Sequence, residues 1–164
     1  MSLLKLALEK IVENNVSQLH EQSKRVDAFY KKYPKLYGGT ADFYFDKCDS
    51  LSVLFNQFLI DEFKINNSFV IVGMGLDYSD TDWITNPSIA TLRNLQNKKH
   101  RTGHVVVNID DVVYDMSSKQ FYSGSFSIYP LHEFKKRWKV IRDMSNTEYN
   151  VTLIKAKLIL EHLK

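Results

Sequence analysis

Residues 103–116 have the sequence GHVVVNIDDVVYDM, in which two β-branched runs flank the pair Asp110-Asp111. Two such runs joined by two turn-forming residues are typical of a β-hairpin. The sequence therefore predicts strands at 104–109 and 112–116, with a tight turn between them.

This hairpin brings a histidine near an aspartate. In a two-residue turn Ile109 pairs with Val112, and counting back along the strands sets Val106 opposite Asp115. Because side chains alternate between the faces of a strand, His104 shares a face with Val106. His104 and Asp115 are then diagonal neighbours, roughly 7–8 Å apart at the backbone. A change of register by one residue would place them on opposite faces.

The only cysteine, Cys48, lies where a polar stretch runs into an apolar segment. The apolar spacing predicts a central, buried helix at about 47–64. Asp46 is the expected N-cap and Asp49 makes the first turn acidic. In that turn the backbone N–H groups and the helix dipole favour a thiolate at Cys48, whereas the two aspartates oppose it.

Cys, His and Asp side chains in these elements suit nucleophilic catalysis. Asp115 would orient His104, and His104 would activate Cys48 for attack on a carbonyl. The backbone N–H of Cys48 could supply half of an oxyanion hole, with Gln120 as the favoured second donor. Weaker candidates for oxyanion or substrate contact are Tyr44, Asp42 and Asn56.

The segments FDKCDSLSVLF (45–55) and GHVVVNIDDVVYDMSSKQF (103–121) resemble the papain-like superfamily of cysteine peptidases, amidases and deamidases. The transglutaminase-like and toxin-deamidase branches are the most similar. The resemblance covers about 40–130 and implies an α+β fold, in which the helix bearing the cysteine packs on an antiparallel sheet. Two features depart from the family pattern. Asp42 stands where papain-type enzymes carry an oxyanion glutamine, and no aromatic residue follows Cys48 directly.

The remaining sequence fits a single domain, 1–164. We expect an N-terminal helical segment at 1–35, a papain-like core at 40–145 and a C-terminal helix at 146–164. The other predicted elements are a long helix at 3–32, an interior strand at 69–75, a loop at 76–87, a short helix at 88–97, a strand at 125–129, a helix from Pro130 carrying Leu131, Phe134 and Trp138, a strand at 139–144 and a helix at 147–163.

Composition narrows the possible partners. Hydrophobic residues make up 44% of the chain and the net charge is +3, which fits a globular protein and does not favour nucleic acid. The basic cluster at 98–101 reads as a solvated loop rather than an RNA contact. No segment reaches the roughly 18–20 apolar residues that span a bilayer, so no membrane partner is expected. No cofactor is expected either, and His20, His132 and His162 lack metal-ligand spacing.

A single cysteine fits a reducing compartment, so we expect the cytoplasm, or the host-cell cytoplasm for an effector or viral protein. The first hypothesis is a cysteine hydrolase that acts on amide bonds of a protein or peptide, as a peptidase or as a Gln/Asn deamidase. The alternative is a catalytically silent papain-like module that binds a partner protein, with the apolar face of the N-terminal helix as a docking surface.

Each residue also fits a purely structural role. A lone cysteine is often a small buried core residue, and a histidine at the start of a strand often has its hydrogen bonds satisfied within the fold. Asp115 could cap a turn toward Ser117. The order of the three residues, each in the expected element, favours the catalytic interpretation.

Overall fold

Short antiparallel strands form the centre of the structure. The computed structural model describes residues 3–36, 47–75, 103–117 and 127–163. Within these residues one sheet has the strand order β4-β3-β2-β1-β5, and each neighbouring pair is antiparallel. The strands are β1 (Phe69–Gly75), β2 (Gly103–Ile109), β3 (Val112–Asp115), β4 (Ser127–Pro130) and β5 (Trp138–Asp143).

The hairpin turn between β2 and β3 sets their register. Asp110 and Asp111 have φ angles of 49° and 61°, so both occupy the left-handed region that a type I′ turn requires. Aspartate tolerates this region better than most residues because its short polar side chain can bond locally. Ile109 pairs with Val112, which confirms the predicted two-residue turn and its register.

The helices follow the expected apolar spacing. They are α1 (Leu3–Lys32), α2 (Cys48–Phe63), α3 (Leu131–Arg137) and α4 (Asn146–His162). Every residue of α2 from Ser50 to Asn56 is buried, as expected for a helix that is apolar around most of its circumference. The structure therefore confirms a central, buried helix at this position.

Helices cover both faces of the sheet. The Phe55 ring of α2 lies 5.4 Å from the Tyr114 ring of β3, centroid to centroid. Phe134 of α3 instead shares a buried cluster with Val113, the neighbour of Tyr114 on the same strand. Because consecutive strand residues face opposite sides, α2 and α3 pack on opposite faces. The architecture is thus α+β, with helices packed on an antiparallel sheet.

The last helix packs on α2 rather than on the sheet alone. The Tyr149 hydroxyl of α4 accepts a hydrogen bond from Asn56 Nδ2 at 3.1 Å, and it donates to the Val53 carbonyl or Gln57 Oε1, each 3.3 Å away. Thr152 and Ala156 are buried on the same helix. This contact fixes α2 from the side that faces away from the strands.

The chain divides into two structural units, Met1–Tyr37 and Gly38–Lys164. In the first unit, α1 ends in a short 3-10 helix, Pro34–Leu36. Phe29 packs edge-on against the rings of Tyr30 and Tyr33, at centroid distances of 5.4 and 5.1 Å. The second unit contains the sheet and the other three helices. The expectation of a single domain stays a prediction.

One predicted element is wrong at its end. The spacing of Leu131, Phe134 and Trp138 indicates a helix that includes the tryptophan, but α3 ends at Arg137 and Trp138 begins β5. Trp138 pairs with Gly75 of β1, so pairing in the sheet overrides the local helical spacing. The predicted loop at 76–87, the short helix at 88–97 and the basic cluster at 98–101 lie outside the described residues.

Candidate functional site

A histidine and an aspartate form a buried pair on the hairpin. His104 Nε2 lies 2.8 Å from Asp115 Oδ2, and both side chains are almost completely shielded from solvent, at 0% and 1% exposure. The pair follows from the register, because Val107 lies opposite Tyr114 and the next residues outward are Val106 and Asp115. The diagonal relation deduced from the sequence thus brings the two side chains into contact.

Further hydrogen bonds orient the carboxylate. The Ser117 backbone N–H donates to Asp115 Oδ1 at 3.3 Å, which is the turn contact expected of an aspartate in this position. The Tyr129 hydroxyl donates to Asp115 Oδ2 at 3.0 Å. One carboxylate oxygen therefore serves both His104 and Tyr129, while the other is held by the backbone.

Cys48 is the first residue of α2 and is half-buried. Lys47 precedes it at the N-cap position and makes no side-chain capping bond. The positive end of the helix dipole lies at this first turn, where the Ser50 N–H bonds to Asp49 and the Leu51 N–H bonds to the Lys47 carbonyl. The prediction of Asp46 as N-cap is wrong, because the helix begins at Cys48 and Lys47 takes the N-cap position.

The Cys48 side chain lies beside the His104 imidazole, since its hydrogen bond and its charge are among the causes that raise the pKa of the ring. Nε2 contacts Asp115, so Nδ1 is the ring nitrogen left for the sulfur. The structure thus brings the Cys48, His104 and Asp115 side chains together, with the imidazole between the sulfur and the carboxylate.

The end of β2 explains how the helix reaches the imidazole. β3 stops at Asp115, whereas β2 continues beyond it to Gly103. Next to this overhang, Ser52 Oγ of α2 donates a 2.8 Å hydrogen bond to the Val105 carbonyl. Ser52 lies one helical turn after Cys48 and therefore on the same side of the helix. This bond anchors the first turns of α2 beside His104.

The surroundings of His104 favour its protonated form. Burial lowers the pKa of the imidazole, but the Asp115 charge and hydrogen bond, together with the hydrogen bond and charge of Cys48, raise it. The balance raises the pKa of His104 from 6.5 to about 9. An imidazolium at neutral pH is the state required to stabilise a thiolate beside it.

Aromatic side chains enclose the imidazole. The Trp138 ring centroid lies 4.9 Å from that of His104 with an interplanar angle of 36°, and Phe134 stacks on His104 at 6.3 Å. Such rings exclude water and leave the imidazole few directions in which to rotate. They also strengthen the charge contacts of the pair, because the surroundings are less polar than water.

An acidic neighbour of Cys48 has its own partners. Asp49 Oδ1 accepts a 2.6 Å hydrogen bond from the Ser50 backbone N–H, and Asp49 Oδ2 lies 3.2 Å from Lys155 Nζ of α4. The lysine partly offsets the carboxylate that the sequence places beside the thiol. Asp49 therefore opposes a thiolate at Cys48 less than its position alone suggests.

The other candidate residues divide into two groups. Asn56 lies on α2, where its Nδ2 donates to Tyr149. Three candidates for oxyanion or substrate contact lie outside the described residues: Gln120, Tyr44 and Asp42.

Two neighbours of the Cys48–His104–Asp115 group, Tyr129 and Trp138, are not predicted from the sequence. Tyr129 lies on a strand that the sequence does predict, but its contact depends on which strand lies beside it. Trp138 was assigned to a helix and lies on β5. No local signal places Tyr129 beside Asp115, because alternation within β4 does not specify which strand pairs with it.

Among the described ranges there is no group of three or more His, Cys, Asp or Glu side chains that could hold a metal ion. Within the same parts of the chain, none of the helices has the length and apolar character needed to cross a membrane. Comparison with protein-family models, curated proteins and solved structures finds no match for this chain.

Proposed function

We propose that this protein is a cysteine hydrolase that cleaves amide bonds, with a papain-like or transglutaminase-like arrangement of its core. The observation that carries the proposal is the buried 2.8 Å contact between His104 and Asp115, with the Cys48 side chain close enough to the same ring to raise its pKa. Acyl transfer through a thiol needs a nucleophile, a base beside it and a third group that orients the base.

The reaction follows from this order. The Cys48 thiolate attacks the amide carbonyl carbon, and the tetrahedral intermediate collapses as the His104 imidazolium donates its proton to the leaving nitrogen. Amine or ammonia departs and a thioester remains on Cys48. His104, now neutral, takes a proton from water, which attacks the thioester and releases the acid. Asp115 stays ionised and holds the ring in the orientation that both proton transfers need.

The identity of the leaving group distinguishes the two substrate classes. A peptidase releases a new amino terminus, whereas a Gln or Asn deamidase releases ammonia from a side chain. Incubation of the wild type with a mixture of unfolded proteins, with Cys48→Ala as the matched control, assigns the class by which product accumulates.

The direct test of the site is the alkylation of Cys48 by iodoacetamide, read by intact mass. Because Cys48 is the only cysteine, one added mass reports one site. We expect a rate that stays nearly constant between pH 6 and 8, because the proposed mechanism uses a thiolate stabilised by the His104 imidazolium. A free thiol, with a pKa of about 8.5, slows roughly tenfold for each pH unit below that value.

The matched variants are His104→Gln and His132→Gln. The first removes the imidazole that faces Cys48, so labelling should slow with falling pH as in a free thiol. The second removes an exposed imidazole on α3, whose side chain is 71% accessible, and should leave the profile unchanged. A wild-type rate that already falls tenfold per unit would contradict the proposal.

One observation favours the alternative, a binding module without turnover. Val12, Val16 and Leu19 of α1 are each about 60% exposed and share one face of the helix. If this module binds a partner through that face, wild type and Cys48→Ala should capture the same partner in equal amounts and leave it unmodified. Loss of capture on removal of the thiol alone would exclude this function.

A further inference from the structure

Tyr129 shares a carboxylate oxygen with the imidazole of the proposed triad. Its hydroxyl donates to Asp115 Oδ2 at 3.0 Å, and His104 Nε2 contacts the same oxygen at 2.8 Å. The tyrosine is thus placed to decide where Oδ2 points.

The sheet holds Tyr129 in this place. Tyr129 of β4 pairs with Val113 of β3, and Asp115 of β3 pairs with Ser127 of β4. Residues two apart on a strand share a face, so Tyr129 and Asp115 are diagonal neighbours, the same relation that joins Asp115 to His104. The tyrosine ring also packs against the buried cluster around Val113 and Phe134. Its position is therefore fixed by packing as well as by the hydroxyl.

We propose that Tyr129 is a positioning residue: its hydroxyl holds the Asp115 carboxylate in the rotamer in which Oδ2 faces His104. The inference rests on the proposed function and concerns the same site. Without the hydroxyl, Oδ1 remains bound to the Ser117 N–H at 3.3 Å and Oδ2 remains in contact with His104, but Oδ2 loses one of the contacts that oppose rotation about the terminal torsion. This torsion has a broad minimum, so the carboxylate would sample other orientations.

A second effect of the hydroxyl acts in the opposite direction. A hydrogen bond to Oδ2 withdraws negative charge that would otherwise favour the imidazolium. If Tyr129 only withdrew charge, its removal would strengthen the His104–Asp115 pair. If it positions the carboxylate, its removal weakens the pair. The sign of the change in His104 titration therefore separates positioning from charge withdrawal.

The groups that face His104 can be assigned element by element. Asp115 comes from β3 and Cys48 from α2, and these two bear the charges that act on the imidazole. Phe134 and Trp138, from α3 and β5, are uncharged. Gly73 lies opposite on β1. Within the described residues, Tyr129 acts on His104 through Asp115.

The test uses iodoacetate, an anion that the imidazolium attracts to the thiolate. Its alkylation rate should decline as His104 loses its proton, giving an upper limb in the pH profile. In Tyr129→Phe we expect this decline in rate to occur at a pH lower by about 0.5–1 unit than in the wild type. The shift has the same direction as in Asp115→Asn but is smaller. An upper limb that stays in place or moves up would overturn the proposal.

Two further variants make the result specific. Tyr149→Phe removes a hydroxyl that bonds to Asn56, Val53 or Gln57 outside the site, and it should lower thermal stability without moving the limb. In the double variant Asp115→Asn with Tyr129→Phe, the tyrosine should add no shift, because its partner is already altered. An additive shift would mean that Tyr129 acts by another route and would also overturn the proposal.

Failure of the proposed function gives a different result. In that case the wild type itself shows neither the constant labelling rate nor the upper limb, before any tyrosine variant is considered. If the wild type shows the constant labelling rate and the upper limb, and the Tyr129→Phe profile is the same, the hydrolase proposal is supported. The positioning role of Tyr129 is then excluded.

Discussion

Gly73 of β1 lies directly opposite His104 of β2, and its missing side chain leaves the space that Phe134 and Trp138 occupy beside the imidazole. A Cβ at this position would lie 2.9 Å from Phe134 Cζ and 3.0 Å from Trp138 Cβ. The aromatic enclosure of the histidine therefore depends on a glycine in the neighbouring strand.

Gly73→Ala should destabilise the protein by about 1–3 kcal/mol, because the inserted methyl group overpacks the cluster and must displace one of the two rings. Urea unfolding measures the change as a lower midpoint at an unchanged slope. In a Phe134→Leu background the same substitution should cost less, since the end of the ring that it meets is gone. Equal costs in the two backgrounds would show that the ring does not occupy this space.

Asp115→Asn should lower the pKa of His104. Burial then acts with no carboxylate to oppose it, so the pKa should fall from about 9 by roughly 1–3 units. NMR titration of the imidazole Cε1–H signal measures it directly. Asp61→Asn changes an exposed carboxylate that accepts from Gln57, and it should leave the His104 titration unchanged. An unaltered titration in Asp115→Asn would show that the carboxylate does not hold the proton on the ring.

Stability should decline with rising pH across the titration range of His104. Its pKa in the folded protein, about 9, exceeds the ordinary value of 6.5, so the folded state binds the proton more tightly than the unfolded chain. This contribution is complete below about pH 6.5 and is lost as pH rises through 9, with a size of about 3 kcal/mol. Urea unfolding at pH 6 and at pH 9.5 measures the loss. His104→Gln should shrink the difference between the two pH values, and an equal loss in both proteins would assign it to other groups.

Two serines in α2 offer a matched pair of substitutions. Ser52 Oγ is buried and donates to the Val105 carbonyl, so Ser52→Ala should cost about 1–3 kcal/mol by leaving that carbonyl without its donor. Ser50 Oγ is also buried but has no hydrogen-bond partner among the described residues. Ser50→Ala should therefore be neutral or stabilising. Iodoacetamide labelling of Cys48 should slow at pH 6–7 in Ser52→Ala but not in Ser50→Ala. Of the two serines, Ser52 is the one that bonds α2 to β2 beside His104.

Local chemistry made the hairpin predictable. Asp110 and Asp111 form a two-residue turn, and such a turn fixes the register of both strands without reference to the rest of the fold. The contact between His104 and Asp115 follows from that register. The apolar spacing of residues 51–63 likewise predicts a buried helix at about 47–64, and α2 spans Cys48–Phe63.

The contacts that sequence reasoning missed are set by tertiary structure. Tyr129 reaches Asp115 because β4 pairs with β3, and no short turn in the sequence specifies that pairing. Trp138 has the spacing of a helical residue relative to Leu131 and Phe134, but its partner is Gly75 on a distant strand. Apolar periodicity and residue propensity describe only the local preference of a segment. Tyr129 and Trp138 are instead placed by pairing with strands that lie elsewhere in the sequence.

The overhang of β2 past β3 has a consequence for how the candidate site assembles. The histidine and aspartate come from one hairpin, whereas the sulfur arrives on a separate helix that Ser52 anchors to the Val105 carbonyl of β2. If this helix detached, the sulfur would separate from the His104–Asp115 pair. For a hydrolase of the proposed kind, catalytic competence would therefore require the docking of α2 as well as the hairpin.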